Sequence, residues 1–147
     1  MQARQKRQKN LRVATLNIGT LTGKSREIAD MMKRRRIDIL CLQETRWTGG
    51  KSGGKERNIR DSYKLYYSGG GKPKNGVAKC LSEEWQDKTF NIVTAYAPQQ
   101  GCEEDEKQRF WNQLEEVTTN VKETEQLIVA GDLNGHIGRE RVEGFER

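Results

Sequence analysis

Residues 11–44, LRVATLNIGTLTGKSREIADMMKRRRIDILCLQE, decide how the chain folds. The run opens on LRVATLNI (residues 11–18), apolar and β-branched in character, which predicts a strand. Turn material, GTLTGK, follows; Ser25 then stands where a helix N-cap belongs, with Glu27 in the first turn. Ile28, Ala29, Met31 and Met32 share one face of that helix. Arg34, Arg35 and Arg36 gather at its C-terminal end, where the helix dipole favours cations. IDILCL (37–42) is apolar almost without a break, as a strand buried on both faces is. Strand, helix and strand in about thirty residues make a βαβ unit, which requires a parallel pair and a right-handed crossover.

The same grammar returns later in the chain. In KTFNIVTAYAP (88–98), Phe90, Ile92, Thr94 and Tyr96 fall on one strand face and Asn91, Val93 and Ala95 on the other, until Pro98 ends the run. EEDEKQRFWNQLEEVTTNV (103–121) places acids in the first turn of a helix and Phe110, Leu114, Val117 and Val121 at helical spacing. QLIVAG (126–131) reads as a second buried strand. Between the two units lies an irregular, glycine-rich insert. There GGKSGGK (49–55) reads as a basic loop, YKLYYS and the segment opening at NGV as short strands, and GGGKPKNG (69–76) as a lysine-bearing turn; AKCLSEEWQDK (78–88) shows no pattern.

Composition bounds what such a chain does. With 147 residues it has the length of one domain, and at 33% hydrophobic content and a mean hydropathy of −0.98 its core is thin. A net charge of +6 suits a polyanionic partner, and equally a solubilising surface. Cys41, Cys80 and Cys102 form no C-x-x-C pair or Cys/His cluster, which speaks against a disulfide framework or zinc site. The opening MQARQKRQKN has no apolar core of a secretory signal, and no window approaches a membrane span. Residues 1–10 read as a basic tail, either solvated or a nucleic-acid arm, ahead of one domain over 11–147. The expected location is intracellular, nuclear rather than cytoplasmic; oligomeric state is not legible.

Four predicted strands end on polar residues: Asn17, Glu44, Tyr96, and Asp132 with Asn134 in GDLN. Ligands of open α/β sheets bind at the carboxyl ends of strands, so packing the two units together brings these groups to one edge. Two carboxylates, two amides and a phenol suit a hard, oxygen-liganded cation such as Mg²⁺. Each also has a purely structural reading: Asn17 satisfying loop backbone, Glu44 solvated, Tyr96 in the core, and GDLN forming an Asx turn. His136 reads as a loop residue or a substrate contact.

In order, LRVATLNI, IDILCLQETRW, NIVTAYAPQ and LIVAGDLNGHIGRE resemble motifs of the endonuclease/exonuclease/phosphatase (DNase I-like) superfamily of Mg²⁺-dependent phosphodiesterases. Their wording is most similar to the apurinic-type endonuclease domain of RTE-type LINE retrotransposons, over residues 11 to about 143. The resemblance implies DNA as partner and Mg²⁺ (or Mn²⁺) as cofactor. It makes Glu44 the main metal ligand, helped by Asn17. Tyr96 would contact the scissile phosphate, Asp132 would position or deprotonate the attacking water, and Asn134 would donate to the phosphate. Arg46, Trp47 and the lysines of the insert would contact nucleic acid.

Two departures accompany it. The family usually has more sequence, including a strand, between the NGV strand and AYAP. Its second half and C-terminal Ser-Asp-His motif are not found in these 147 residues. The expected architecture is therefore a partial DNase I-like α/β sandwich, one sheet plus flanking helices with the second half largely missing. Beside the nuclease reading stand an inactive, retrotransposon-derived remnant and a non-catalytic nucleic-acid-binding module.

Overall fold

Strand β1 (Val13–Asn17), helix α1 (Ser25–Arg35) and strand β2 (Ile39–Gln43) form the first βαβ unit, and β1 and β2 are parallel with Val13 opposite Ile39. They belong to a computed structural model that describes residues 10–48, 54–69 and 76–135. Strands β3 (Lys55–Asn58), β4 (Lys64–Ser68) and β5 (Val77–Leu81) extend the sheet by antiparallel pairing, in the order β1-β2-β5-β4-β3. After the short helix α2 (Glu83–Gln86), strand β6 (Asn91–Tyr96), helix α3 (Glu104–Thr119) and strand β7 (Leu127–Asp132) form the second unit. β6 and β7 are parallel, and they make a separate two-stranded sheet.

The layers follow from the apolar pattern. α1 sets Ile28, Ala29 and Met32 on one face of the large sheet, against Leu40, Leu42, Leu65, Ala78 and Cys80. On the opposite face Ile39, Cys41 and Leu81 meet Ile92, Ile128 and Ala130 of the small sheet. β2 is covered on both sides, so all five of its residues are buried. α1 closes with Arg36 in the left-handed region (φ 54°), its N–H donating to the Lys33 and Met32 carbonyls, and with Lys33, Arg34 and Arg35 in the last turn.

Several expectations change. The α/β class and the mixed sheet with flanking helices are as expected, but the two βαβ units build two sheets packed face to face. Ser25 is the first helical residue and not the N-cap; Lys24 occupies the cap and makes no side-chain capping bond. β7 is not a buried strand, because nothing described covers its outer face: Leu127 is 37% and Val129 42% exposed. α3 buries none of its residues, and Val117 of its predicted apolar stripe is 48% exposed. α2 and most of β5 lie in the stretch that showed no pattern, and β3 runs from the end of the basic loop into residues given no assignment.

Candidate active site

The strand-end residues come together where the two parallel pairs finish. Asn17 closes β1 opposite Gln43 on β2, and Glu44 follows Gln43 directly. Tyr96 closes β6 opposite Asp132, the last residue of β7. The face-to-face packing sets these ends against each other, so the Tyr96 hydroxyl donates to Glu44 Oε1 across the sheets. The Asn17 side chain donates to the same carboxylate while its Oδ1 accepts the Gly19 N–H at 3.1 Å.

Electrostatics follow from those bonds. The Tyr96 hydroxyl, then the Asn17 amide and the Arg46 charge, hold Glu44 below the ordinary carboxylate range against the opposing effect of burial. The anion stabilised in this way pushes the Tyr96 phenol above its ordinary value, with burial and Asp132 acting in the same direction. Gln99 donates to the phenol and partly offsets the rise. At neutral pH the pair is therefore a carboxylate facing a protonated phenol.

Asp132 and Asn134 form a second, adjoining unit. Asp132 Oδ1 accepts the Asn134 N–H at 2.9 Å, an Asx turn, and the Asn134 amide donates to the Ala97 carbonyl at 2.5 Å. The Ala97 N–H in turn donates to the Asp132 carbonyl at 2.8 Å, tying the two strand exits together. GDLN makes the Asx turn, and the turn stands beside Tyr96.

The loop after β2 is set from outside. Thr45 is fully buried; its N–H donates to Gly76 and its carbonyl accepts from Leu21. Its neighbours Glu44 (φ 55°) and Arg46 (φ 57°) are both held in the left-handed region, which non-glycine residues rarely adopt. Trp47 is engaged within the fold. Its indole N–H donates to Thr22 Oγ1 at 3.0 Å and its ring meets Tyr67 edge-on at 5.0 Å, with Arg57 over its face. Arg46 is exposed. His136 and the insert lysines Lys51, Lys72 and Lys74 lie outside the described residues. Gln99 and Thr45 were not singled out by sequence; the one signal for Gln99 was its place in AYAPQ, three residues past Tyr96.

Residues 14–141 match the model of the Endonuclease/Exonuclease/phosphatase family. The chain belongs to that family. Among curated relatives of this family member, Craniofacial development protein 2 of Bos taurus is 28% identical over 155 residues, and that of Tragulus javanicus 27%. Each alignment covers 90% of this chain and 26% of the relative, so the chain spans about a quarter of those proteins. Among solved structures, an AP endonuclease from Archaeoglobus fulgidus superposes with a TM-score of 0.55 at 25% identity, covering 85% of this chain and 58% of that one.

Enzymes of the family generally depend on a divalent metal. The donor set here offers an ion the ionised Glu44 carboxylate, the Asn17 amide, whose nitrogen faces Glu44 and whose oxygen takes the Gly19 N–H, and a further carboxylate on the next strand end. Among the described residues no three His, Cys, Asp or Glu side chains cluster as an ion cage. Oxygen donors of this kind suit a hard cation that keeps waters and takes substrate oxygens.

Proposed function

We propose that this chain carries the metal- and phosphate-handling part of a Mg²⁺-dependent DNA phosphodiesterase, descended from a retrotransposon endonuclease. The observation that carries the reading is the hydrogen-bonded meeting of Tyr96, Glu44 and Asn17 across two sheets, with Asp132 alongside. The four ordered motifs support the ancestry, and the AP endonuclease likeness supports abasic DNA among the substrates. The overlap with only 58% of that enzyme supports a centre to which further residues contribute.

Glu44 with Asn17 would hold the ion. When bound, Mg²⁺ supplies Lewis-acid polarisation of a phosphoryl oxygen. The rest falls to side chains. Glu44 stays anionic at neutral pH because Tyr96 and Asn17 donate to it. Tyr96 remains protonated, and its one O–H, given to Glu44 here, would have to leave that carboxylate to reach a phosphate oxygen. Asp132 spends Oδ1 on the Asx turn and has Oδ2 to orient or deprotonate the attacking water. Asn134 spends one amide N–H on Ala97 and has a second for the phosphate.

Incubation of the chain with abasic, nicked and plain duplex DNA in Mg²⁺ tests this. Asp132→Ala is expected to cut cleavage by roughly 10²-fold or more. Wild type and variant cleaving alike would remove the reading. One observation favours a second reading, a family member without turnover: Asn134 and Asp132 are already hydrogen-bonded to the structure's own backbone. That reading fails if the wild-type chain cleaves and the variant does not.

A further inference from the structure

β6 is paired on one side only. Asn91 N–H donates to Gln126 and Ala97 N–H to Asp132, so the odd-numbered residues of β6 turn their backbone groups toward β7. By the alternation of a parallel ladder, Ile92, Thr94 and Tyr96 turn their N–H and C=O groups the other way. The side chain of Lys79 confirms the direction, its Nζ standing 3.5 Å from the Ile92 carbonyl. Among the described residues no strand lies along that edge.

The open edge runs along a groove with two differently furnished walls. Below it, Lys55, Glu56, Tyr66, Ala78, Lys79 and Ile92 line a cavity of about 570 Å³. Glu56 is paired with Lys64 at 3.2 Å, which leaves this wall net positive. Above it, Val93, Ala95, Phe110, Leu114 and Val117 line a mainly apolar cavity of about 730 Å³ between β6 and α3. An added strand places alternate side chains into these two walls.

A second copy of the chain does not fit there. β6 packs over β2 and β5, and the large sheet continues past it by two more strands, β4 and β3. Edge-to-edge pairing of two copies drives those overhanging strands into each other. A single extended segment has no such overhang.

We infer that the free edge of β6 is a strand-addition site for an extended peptide segment. That segment alternates acidic side chains, toward Lys79 on the face of the large sheet that β6 covers, with aliphatic ones, toward Phe110, Leu114 and Val117. Backbone hydrogen bonds to Ile92, Thr94 and Tyr96 supply the pairing, and the two walls supply the choice of sequence.

Fluorescence anisotropy with a dye-labelled, end-blocked peptide alternating glutamate and valine tests the site. Saturable binding is expected, weakened about tenfold or more by methylating alternate peptide nitrogens, by replacing glutamate with lysine, or by Lys79→Glu. Val117→Lys, at an exposed position of α3, gives the same loss independently of the sheet. Hydrogen exchange at the Thr94 and Tyr96 amides slows when the peptide binds, while exchange at Val93 and Ala95 is unchanged. Equal binding of the N-methylated or the lysine peptide overturns the proposal. So does a dimer in sedimentation velocity whose Thr94 amide is protected without peptide.

Discussion

The two βαβ units of this molecule share a plan and differ in what surrounds them. In the first, α1 covers one face of β2 and the small sheet covers the other, burying Leu40, Leu42 and Met32 almost completely. In the second, β7 keeps Leu127 and Val129 on an open face, and none of α3's residues is buried. Local pattern made both units; burial made only one of them a core. The candidate site stands on the joint between them, with Asn17 and Glu44 on the well-covered side and Tyr96, Asp132 and Asn134 on the poorly covered one.

The sharpest way to break that contrast is to cut the same kind of hole in each unit. Leu42→Ala is expected to cost about 2–5 kcal/mol in urea unfolding, the range for a fully buried leucine. Comparable losses from Leu127→Ala would show the second unit to be as well packed as the first.

Next in size is Gly131→Ala. A Cβ there would lie 1.8 Å from the Ala95 carbonyl oxygen, at a φ of 154° that side chains rarely adopt. The expected cost is about 2–3 kcal/mol, confined to the β6–β7 pair and seen as faster amide exchange there while β2 is unchanged. Uniform acceleration would mean that the two units unfold as one.

The cysteines separate the regions by pH. Burial pushes the Cys80 thiol from 9.0 up to about 12. A raised acid favours the folded state while protonated, so its contribution is intact below pH 9 and is lost as pH climbs from there toward 12. Near pH 10 the expected loss is about 1.4 kcal/mol, checked by repeating the denaturant titration. The less buried Cys102 reacts with a thiol reagent in the folded state, whereas Cys41 and Cys80 wait for unfolding.

Smallest of all, Leu127→Ala is expected to cost below about 1 kcal/mol, because its side chain already meets solvent.

The same contrast governs what could be read in advance. IDILCL and NIVTAYAP announced strands because apolar runs record burial directly, and the polar residue ending each run marked the site. β3, spelled KERN, has all four residues exposed, so its place at the sheet edge left no hydrophobic trace. In β5, Lys79 interrupts the apolar pattern because it lines the open groove beside β6. The division into two sheets was hidden for another reason: it depends on which edges pair, and side-chain periodicity does not record that. Asn17, Glu44 and Tyr96 were legible as strand ends. Gln99 and Thr45 act through the loop geometry around those ends, which has no period.

The backbone at Glu44 has a consequence for how such a chain ages under mutation. Its left-handed φ lies next to Thr45, which is buried and tied to Gly76 and Leu21. Glycine or asparagine at that position satisfies the same bend with less strain and removes the carboxylate in one step. Selection for a well-formed loop and selection for a charged centre therefore pull on this residue in opposite directions. A lineage released from the second demand has a downhill path to silence that leaves its fold intact.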